Sequence, residues 1–239
     1  MGKRYVLGVD VGTSMIKAAL YDSSGREYAI GNDKVPVHHP QPDRSEQSPT
    51  AVWDATVTSI DRCLSQSKVD SGEIVAVACA GQGDGLWGLD DRGEAIEPAI
   101  LWNDNRASSV VKRWDEEGVL SRHFEKSGTI LWAGASAAIV RRLAEEDPRS
   151  IDRIAVAFNA KDWINYKLTG EISTDETDGS IPFMNVAERA YDPAQAALLG
   201  LEGFTERLAT PGPSYEVMGR ISADAAQRTG LREGTPVMR

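Results

Sequence analysis

The segment Tyr5–Asp22, YVLGVDVGTSMIKAALYD, constrains the fold more than any other stretch of this chain. One short apolar run ends at Val9 and another begins at Ile16, which predicts two strands folded back on each other. The turn between them is polar and offers a carboxylate, a glycine, two hydroxyls and a cation, from Asp10, Gly12, Thr13, Ser14 and Lys17. Such a set can hold phosphate groups and a hydrated metal ion.

The spacing of this turn excludes two familiar phosphate-binding motifs. A P-loop needs a Gly-Lys-Ser/Thr string at a helix start, and the dinucleotide fingerprint needs three spaced glycines. The Asp10-x-Gly-Thr-Ser turn resembles instead the first phosphate loop of the actin-like ATPase superfamily, which joins two antiparallel strands. Ordinary hairpins also carry short strings of this kind, so the turn by itself leaves both interpretations open.

Composition and length narrow the class of protein. The 239 residues suffice for one large domain or two small ones, and 41% hydrophobic with 26% charged residues is typical of globular proteins. A formal net charge of -10 disfavours nucleic acid and anionic membrane surfaces as partners. The sequence contains neither an apolar signal core nor an apolar run that could span a bilayer, so we expect a cytoplasmic protein.

Cysteine and histidine provide no metal site. Cys63 and Cys79 have no paired ligands nearby, and we expect two buried, reduced thiols. His38 and His39 begin a polar, proline-rich segment, residues 38–49, that predicts a surface loop.

Two apolar segments end in polar clusters. Ile74–Ala80 is a continuous run of β-branched and small residues, which predicts a strand covered on both faces, and Gln82–Gly85 follows it. Ala99–Trp102 leads into a second cluster, Asn103–Arg106. Within that cluster, Asn105 is predicted to cap the helix that follows.

The remaining pattern alternates helices with short strands. Ser48-Pro49 predicts a helix start, and the alanine-rich stretch Trp132–Glu146 predicts a second helix. Lys161–Leu168 predicts a third, which ends near Gly170. The acidic run Ser173–Ser180 is predicted to lie outside the core.

A family resemblance becomes specific when four motifs are taken in their order along the chain. They are Asp10-x-Gly-Thr-Ser, Gln82-Gly-Asp-Gly, Leu101-Trp-Asn-Asp-x-Arg and Asp175-x-Thr-Asp-Gly-Ser. Together they resemble the successive signatures of the first domain of FGGY-type carbohydrate kinases, over nearly the whole chain. The resemblance implies an α/β, ribonuclease-H-like domain of the actin-like ATPase superfamily, with a mixed central sheet flanked by helices. It also implies that residues 1–239 are the N-terminal, sugar-binding domain and that a second domain holds most of the nucleotide site.

The resemblance also implies where a sugar binds. The matching positions on or near the sugar are Gln82, Gly83, Asp84, Trp102, Asp104, Asn105 and Arg106. A polyol presents several hydroxyls and little charge, so its site needs fixed hydrogen-bonding groups and an apolar wall. Gln82 can donate and accept, Asp84 can accept, and Trp102 offers a flat face. The alternatives are that Asp84 is merely a turn residue between two glycines and that Trp102 is a core aromatic.

The sugar itself does not follow from the motifs. Gln82-Gly83-Asp84-Gly85 departs from the Gln-Met-His-Gly string of xylulose kinases and from the Arg-Glu pair of glycerol kinases. With the segments Lys112–Gly118 and Leu131–Gly134, it most resembles the L-xylulose and erythritol kinase branch.

Kinases of this family transfer phosphate from ATP with Mg²⁺, which implies phosphorylation of a small polyol or ketose, with Asp10 contacting the metal through water. The family's catalytic aspartate follows a Gly-Thr-Pro-Val segment, which here is Gly234–Val237, shortly before Arg239. We therefore expect this base and the C-terminal nucleotide domain to lie outside the 239 residues, and the chain to be inactive alone. An interface left uncovered would favour homo-oligomers.

Two other functions remain open at this point. One is a truncated, non-catalytic sugar-binding remnant of such a kinase. The other is a different actin-like ATPase, such as a chaperone or filament protein, which predicts no polar clusters after Ala80 and Leu101; both clusters are present.

Overall fold

The computed structural model describes residues 4–239. Its strands are β1 (Tyr5–Val11), β2 (Met15–Asp22), β3 (Glu27–Lys34), β4 (Glu46–Gln47), β5 (Ile74–Gly81), β6 (Trp87–Leu89), β7 (Ala99–Ile100), β8 (Val156–Phe158), β9 (Thr174–Asp175), β10 (Met184–Asn185), β11 (Ala190–Tyr191), β12 (Pro211–Gly212), β13 (Val217–Arg220) and β14 (Pro236–Met238). Its helices are α1 (Pro49–Ser67), α2 (Ser108–Glu116), α3 (Val119–Ser127), α4 (Ser136–Glu146), α5 (Arg149–Asp152), α6 (Ala160–Thr169), α7 (Glu176–Gly179), α8 (Pro193–Leu198) and α9 (Ala223–Thr229). Short 3₁₀ turns span Ser71–Glu73 and Phe204–Arg207.

The central sheet is mixed, as predicted. Its strand order is β13-β14-β5-β1-β2-β3. β1, β2 and β3 form an antiparallel meander, whereas β5 lies parallel to β1 on its other side and β14 lies parallel to β5. The predicted pair of strands within Tyr5–Asp22 is confirmed, with Val11 opposite Ile16 at the turn.

Helix α1 covers the meander half of the sheet. Ser48 caps it by accepting a hydrogen bond from the amide of Ala51, and Pro49 occupies the first turn, as the sequence predicted. Val52 and Ile60 are fully buried on the inner face of the helix, against β2 and β3.

Helix α6 covers the parallel half of the sheet. Ile164 and Leu168 are buried, and Gly170 ends the helix in the left-handed conformation, as predicted. The prediction that the fifth strand is covered on both faces is wrong. Ile74 and Val77 are buried in the core that α1 and α6 complete, but Val75, between them in sequence, is 41% exposed.

A second hydrophobic core lies beside the sheet. Val110 and Trp114 of α2 pack there with Ile139 and Val140 of α4, together with Phe183. These elements carry the loops that complete the functional site.

Several sequence-based boundaries need correction. The helix predicted from Trp132 begins at Ser136, and α2 begins after Ala107 without a side-chain cap, so Asn105 does not cap it. The acidic run does reach the core, since Thr174 and Asp175 are buried. Strand pairing explains their burial, because β9 pairs with β12.

The thiols differ from each other. Cys63 is buried and free, as expected, but Cys79 is free and only partly buried, because it lies toward the end of β5. Within residues 4–239, no helix combines the length and the apolar character needed to cross a membrane.

Candidate functional site

The parallel pairing of β1 and β5 brings two predicted polar turns together. The carboxyl ends of parallel strands meet at one edge of a sheet, and the amide of Gln82 donates to the carbonyl of Val11 at 2.9 Å. The two turns and one tryptophan line a cleft of about 440 Å³, formed by Asp10, Gly12, Thr13, Gly81, Gln82, Gly83, Asp84 and Trp102.

Four side chains form a hydrogen-bonded network at this cleft. The hydroxyl of Thr13 donates to Oε1 of Gln82 at 3.0 Å, and Nε1 of Trp102 donates to that hydroxyl at 3.1 Å. Gln47 donates to the carbonyl of Thr13 at 2.7 Å, and its Oε1 accepts from Gln82 at 3.0 Å. Each amide is therefore oriented by a fixed partner.

Gln47 is a site residue that the sequence did not reveal. It lies in the stretch predicted to be a surface loop, yet it is fully buried because β4 pairs with β7 and places Gln47 opposite Ala99. A two-residue strand leaves no periodic pattern, so no sequence signal identifies it.

Asp84 lies in an unusual turn on the cleft wall. Its backbone φ is 59°, and Gly85 follows with φ of 76°, where any side chain would overlap the carbonyl of Ile100. Burial and, second, the negative charge of Asp178 raise the pKa of Asp84 to about 6. Asp84 is thus a turn residue that also faces the cleft.

Trp102 lies at the cleft rather than in the core. Its side chain is 45% exposed, and its carbonyl accepts from Nε1 of Trp132 at 3.3 Å. The backbone at Gly134 approaches Trp102 so closely that a Cβ there would overlap the Trp102 carbonyl. This close approach fixes the loop that carries the indole.

The structure does not bring Asp104 and Arg106 into the cleft. Both are buried, and Arg106 donates through Nε and Nη2 to the two carboxylate oxygens of Asp104, each at 2.8 Å. Asp104 also accepts from the amide of Ser45, while Arg106 reaches Glu46 at 2.7 Å. The Asp104 carboxylate and the Arg106 guanidinium, which the family resemblance placed on or near the sugar, are therefore engaged with protein partners instead. Asn105 is exposed and does not line the cleft. Its backbone amide donates a hydrogen bond to the carbonyl of Asp43.

Burial and ion pairing act in opposite directions on Arg106. Burial by itself lowers the pKa of the guanidinium, but its hydrogen bonds and charge interactions with Asp104 and Glu46 outweigh burial and raise the pKa. The guanidinium therefore stays charged and links the loop that carries Trp102 and Asp104 to Glu46 of β4.

The phosphate-type turn is open to solvent. Lys17 and Asp10 form an ion pair of 3.4 Å, and each side chain is about half exposed. Ser14 is exposed beside them but does not line the cleft. Among the described residues, no cluster of three or more His, Cys, Asp or Glu could hold a metal ion directly.

A second polar cluster, which the sequence analysis missed, lies beneath the cleft. The ammonium of Lys161, at the start of α6, is 5% exposed and contacts Asp162 at 2.5 Å, Asp175 at 3.2 Å and Asp178 at 3.4 Å. Burial lowers the pKa of Lys161, but these carboxylates outweigh burial and raise it. The spacing of Asp175 and Asp178 was the available signal, but Lys161 lies on α6, fourteen residues before Asp175 and seventeen before Asp178.

Comparison with known proteins identifies relatives of the whole chain. The family model described as "FGGY family of carbohydrate kinases, N-terminal domain" matches residues 5–239. The chain is 32% identical to a probable L-xylulose kinase of Pasteurella multocida over 98% of its length and 49% of the relative's. It is 31% identical to an erythritol kinase of Brucella abortus over 97% of its length and 45% of the relative's.

Solved structures share the fold. A gluconate kinase from Lactobacillus acidophilus superimposes with a TM-score of 0.91 at 24% identity, covering 99% of this chain and 47% of that protein. A xylulose kinase from Rhodospirillum rubrum gives a TM-score of 0.90 at 24% identity over 98% of this chain and 48% of that protein. The chain thus has the actin-like ATPase fold of these kinases and spans about half the length of the curated relatives it matches.

Proposed function

The chain belongs to the FGGY family of carbohydrate kinases, and from this membership we propose that it forms the sugar-binding part of an ATP-dependent kinase for a small polyol or ketose. The observation that carries the proposal is the network of Gln82, Thr13 and Trp102 at the cleft. It combines donors, acceptors and an exposed indole face, which is the chemistry that selects a neutral polyhydroxylated ligand.

Each cleft residue has a distinct role in this proposal. Gln82, oriented by Gln47, exchanges hydrogen bonds with one hydroxyl, and Asp84 accepts from another. The half-exposed ring of Trp102 covers the C–H face of the sugar. Gly83 leaves the wall between these groups free of a side chain.

The open turn at Asp10 fits the phosphate end of ATP. Its exposed carboxylate and ammonium, with the hydroxyls of Thr13 and Ser14 and the backbone of Gly12, supply groups that phosphates and a hydrated Mg²⁺ require. Mg-ATP would supply the phosphoryl group and neutralise its charge. Lys17 and the hydroxyls would orient the phosphates, and Asp10, whose carboxylate is about half exposed, would contact the metal through water.

We further propose that residues 1–239 act as the first domain of a two-domain kinase and do not turn over substrate alone. The relatives are about twice as long as this chain, which supports a nucleotide-binding second domain as the partner. The similarity to L-xylulose and erythritol kinases supports a substrate of that kind. The proposal also includes that the protein is cytoplasmic and that copies of the chain associate through surface left uncovered.

Calorimetric titration with erythritol, L-xylulose, D-xylulose, glycerol and ribitol tests the sugar site. We expect one of these to bind, and Gln82→Leu to weaken that binding about tenfold, because the variant removes a hydrogen-bonding group from the cleft and leaves the buried Gln47 without its donor. Gln66→Leu is the matched control, since Gln66 is exposed on α1 away from the cleft. Equal affinities of the two variants would contradict the assignment of the cleft.

An ADP-release assay tests the second part of the proposal. The 239 residues with Mg-ATP and the bound sugar should release no ADP above the rate without sugar. Sugar-dependent release by the purified chain would show that these residues contain the complete catalytic site.

A further inference from the structure

The three carboxylates around Lys161 are not equivalent. Asp162 also accepts from the amide of Asn159 at 3.1 Å, and Asp175 accepts from the amides of Thr177 and Asp178 at 2.7 and 2.9 Å. Asp162 lies in the first turn of α6 and Asp175 is the N-cap of α7, positions where backbone donors stabilise a negative charge. Their role is therefore structural.

Asp178 has no such backbone donor. Among the contacts of residues 4–239, its carboxylate pairs only with Lys161, through Oδ2 at 3.4 Å. Its other oxygen, Oδ1, lies 3.8 Å from the point where a side chain on Gly83 would begin. Gly83 lines the cleft, whereas Asp178 lines a small pocket behind Gly83. Because Gly83 has no side chain, nothing on that residue separates Asp178 from the cleft.

Asp178 and Asp84 interact through their charges. The pKa of each carboxyl is raised to about 6, mainly by burial, and for Asp84 the negative charge of Asp178 is the second cause. Asp162 and Asp175 also face Asp178 and are partly balanced by Lys161. Carboxyls with pKa values of about 6 are mostly ionised at neutral pH, so both offer oxygen atoms that accept hydrogen bonds.

The nearby tyrosine does not disturb this pair. Tyr191 donates its hydroxyl hydrogen to the carbonyl of Ala209 at 2.8 Å. Burial raises the pKa of Tyr191 far above neutrality, so its ring adds no charge.

We propose that Asp178 is a specificity-determining residue of the sugar cleft. Lys161 holds one of its carboxylate oxygens. The other oxygen accepts a hydrogen bond from the substrate hydroxyl next to the one that Asp84 binds. This inference rests on the proposed function. Two adjacent hydroxyls can each donate a hydrogen bond, which matches two neighbouring carboxylates that accept. The relative orientation of the two hydroxyls then decides which polyol binds.

Asp178→Asn tests the proposal, because it keeps the shape of the side chain and removes its charge. Glu176→Gln is the matched control: it makes the same charge change on the same short helix, where Glu176 pairs at 3.7 Å with the largely exposed Arg189. Circular dichroism checks that each variant folds. If Asp178→Asn does not fold, Asp178→Glu replaces it, with the epimer ratio below as the readout.

The first readout is independent of sugar. Carbon-detected NMR titration of the free chain gives the pKa of Asp84, which we expect to fall by about one unit in Asp178→Asn and to stay unchanged in Glu176→Gln. An unchanged pKa in Asp178→Asn overturns the pairing, even where polyols bind.

The second readout is the ratio of dissociation constants for erythritol and threitol, which differ at one hydroxyl. We expect Asp178→Asn to change this ratio about fivefold or more, and Glu176→Gln to leave it within about twofold. An equal ratio in both variants overturns the specificity role. If the wild type binds no polyol at all, the proposed function fails and the specificity role with it, whereas the Asp84 titration still reports on the carboxyl pair.

Discussion

Two ion pairs near the cleft use the same chemistry in opposite surroundings. Asp10 and Lys17 lie 3.4 Å apart with about half of each side chain exposed. Asp104 and Arg106 are joined by two hydrogen bonds of 2.8 Å with almost none of either side chain exposed. The exposed pair is held weakly and stays available to a ligand, whereas the buried pair is committed to the fold.

The difference shows that membership of a signature motif does not by itself place a residue at the ligand. Trp102 and Asp104 are two residues apart in one motif, yet the indole faces the cleft and the carboxylate faces the interior. Burial and the supply of partners decide which polar groups remain free to bind.

The largest expected effect comes from breaking the buried pair. Arg106→Met strands the Asp104 carboxylate without its cation, and we expect the free energy of unfolding to fall by about 3–5 kcal/mol. Urea denaturation measures it. The control Arg62→Met removes an exposed pair with Asp33 and should cost less than about 1 kcal/mol. Similar losses in the two variants would remove the contrast between buried and exposed pairs.

The next effect follows from the raised pKa of Asp84. The folded pKa, about 6, exceeds the unfolded value of 3.8, so the stability that this group contributes is present below about pH 4 and is lost as the pH rises through 6. Asp84→Asn cannot ionise, and asparagine tolerates the positive φ. It should be more stable than the wild type by roughly 1–2 kcal/mol at about pH 8 and equally stable at about pH 4.

Thermal unfolding across this pH range measures the difference. Asp90→Asn is an opposite control, since backbone hydrogen bonds from Glu94 and Arg92 lower the pKa of Asp90, and the variant should lose stability at neutral pH. A pH-independent gain in Asp84→Asn would mean that backbone geometry, not ionisation, is responsible.

A smaller effect is expected at the indole. Trp102→Phe keeps an aromatic face but removes the hydrogen bond to Thr13, so the dissociation constant for the bound sugar should rise about three- to tenfold. Stability should hardly change, because the side chain is 45% exposed. Trp132→Phe lies outside the cleft lining and should change affinity less than about twofold. If calorimetry found that Trp132→Phe weakens sugar binding more than Trp102→Phe does, the assignment of Trp102 to the sugar site would be wrong.

The smallest effect on stability is expected at the exposed pair. Lys17→Met should lower the free energy of unfolding by less than about 0.5 kcal/mol, because solvent screens a half-exposed ion pair. Urea denaturation with Lys17→Arg as the control measures it. A loss above about 1 kcal/mol would show that this pair supports the hairpin, as the buried pair supports its loop.

Much of the fold could be predicted from local patterns. The strand pair in Tyr5–Asp22, the helix start at Ser48 and the helix end at Gly170 each depend on residues close in sequence, and each prediction is confirmed. The second face of β5 could not be predicted, because its covering depends on helices far along the chain.

The sequence by itself determined the family, the mixed sheet and the turns at Asp10 and Gln82, because recurring motifs and short-range periodicity encode them. Only the tertiary structure decided which polar side chains reach the cleft. It buried Gln47 within the hydrogen-bonded network at the cleft, and it paired Asp104 with Arg106. It also placed Lys161 among three carboxylates. The physical reason is that a polar group's availability depends on burial and on partners supplied by distant segments, which no local pattern records.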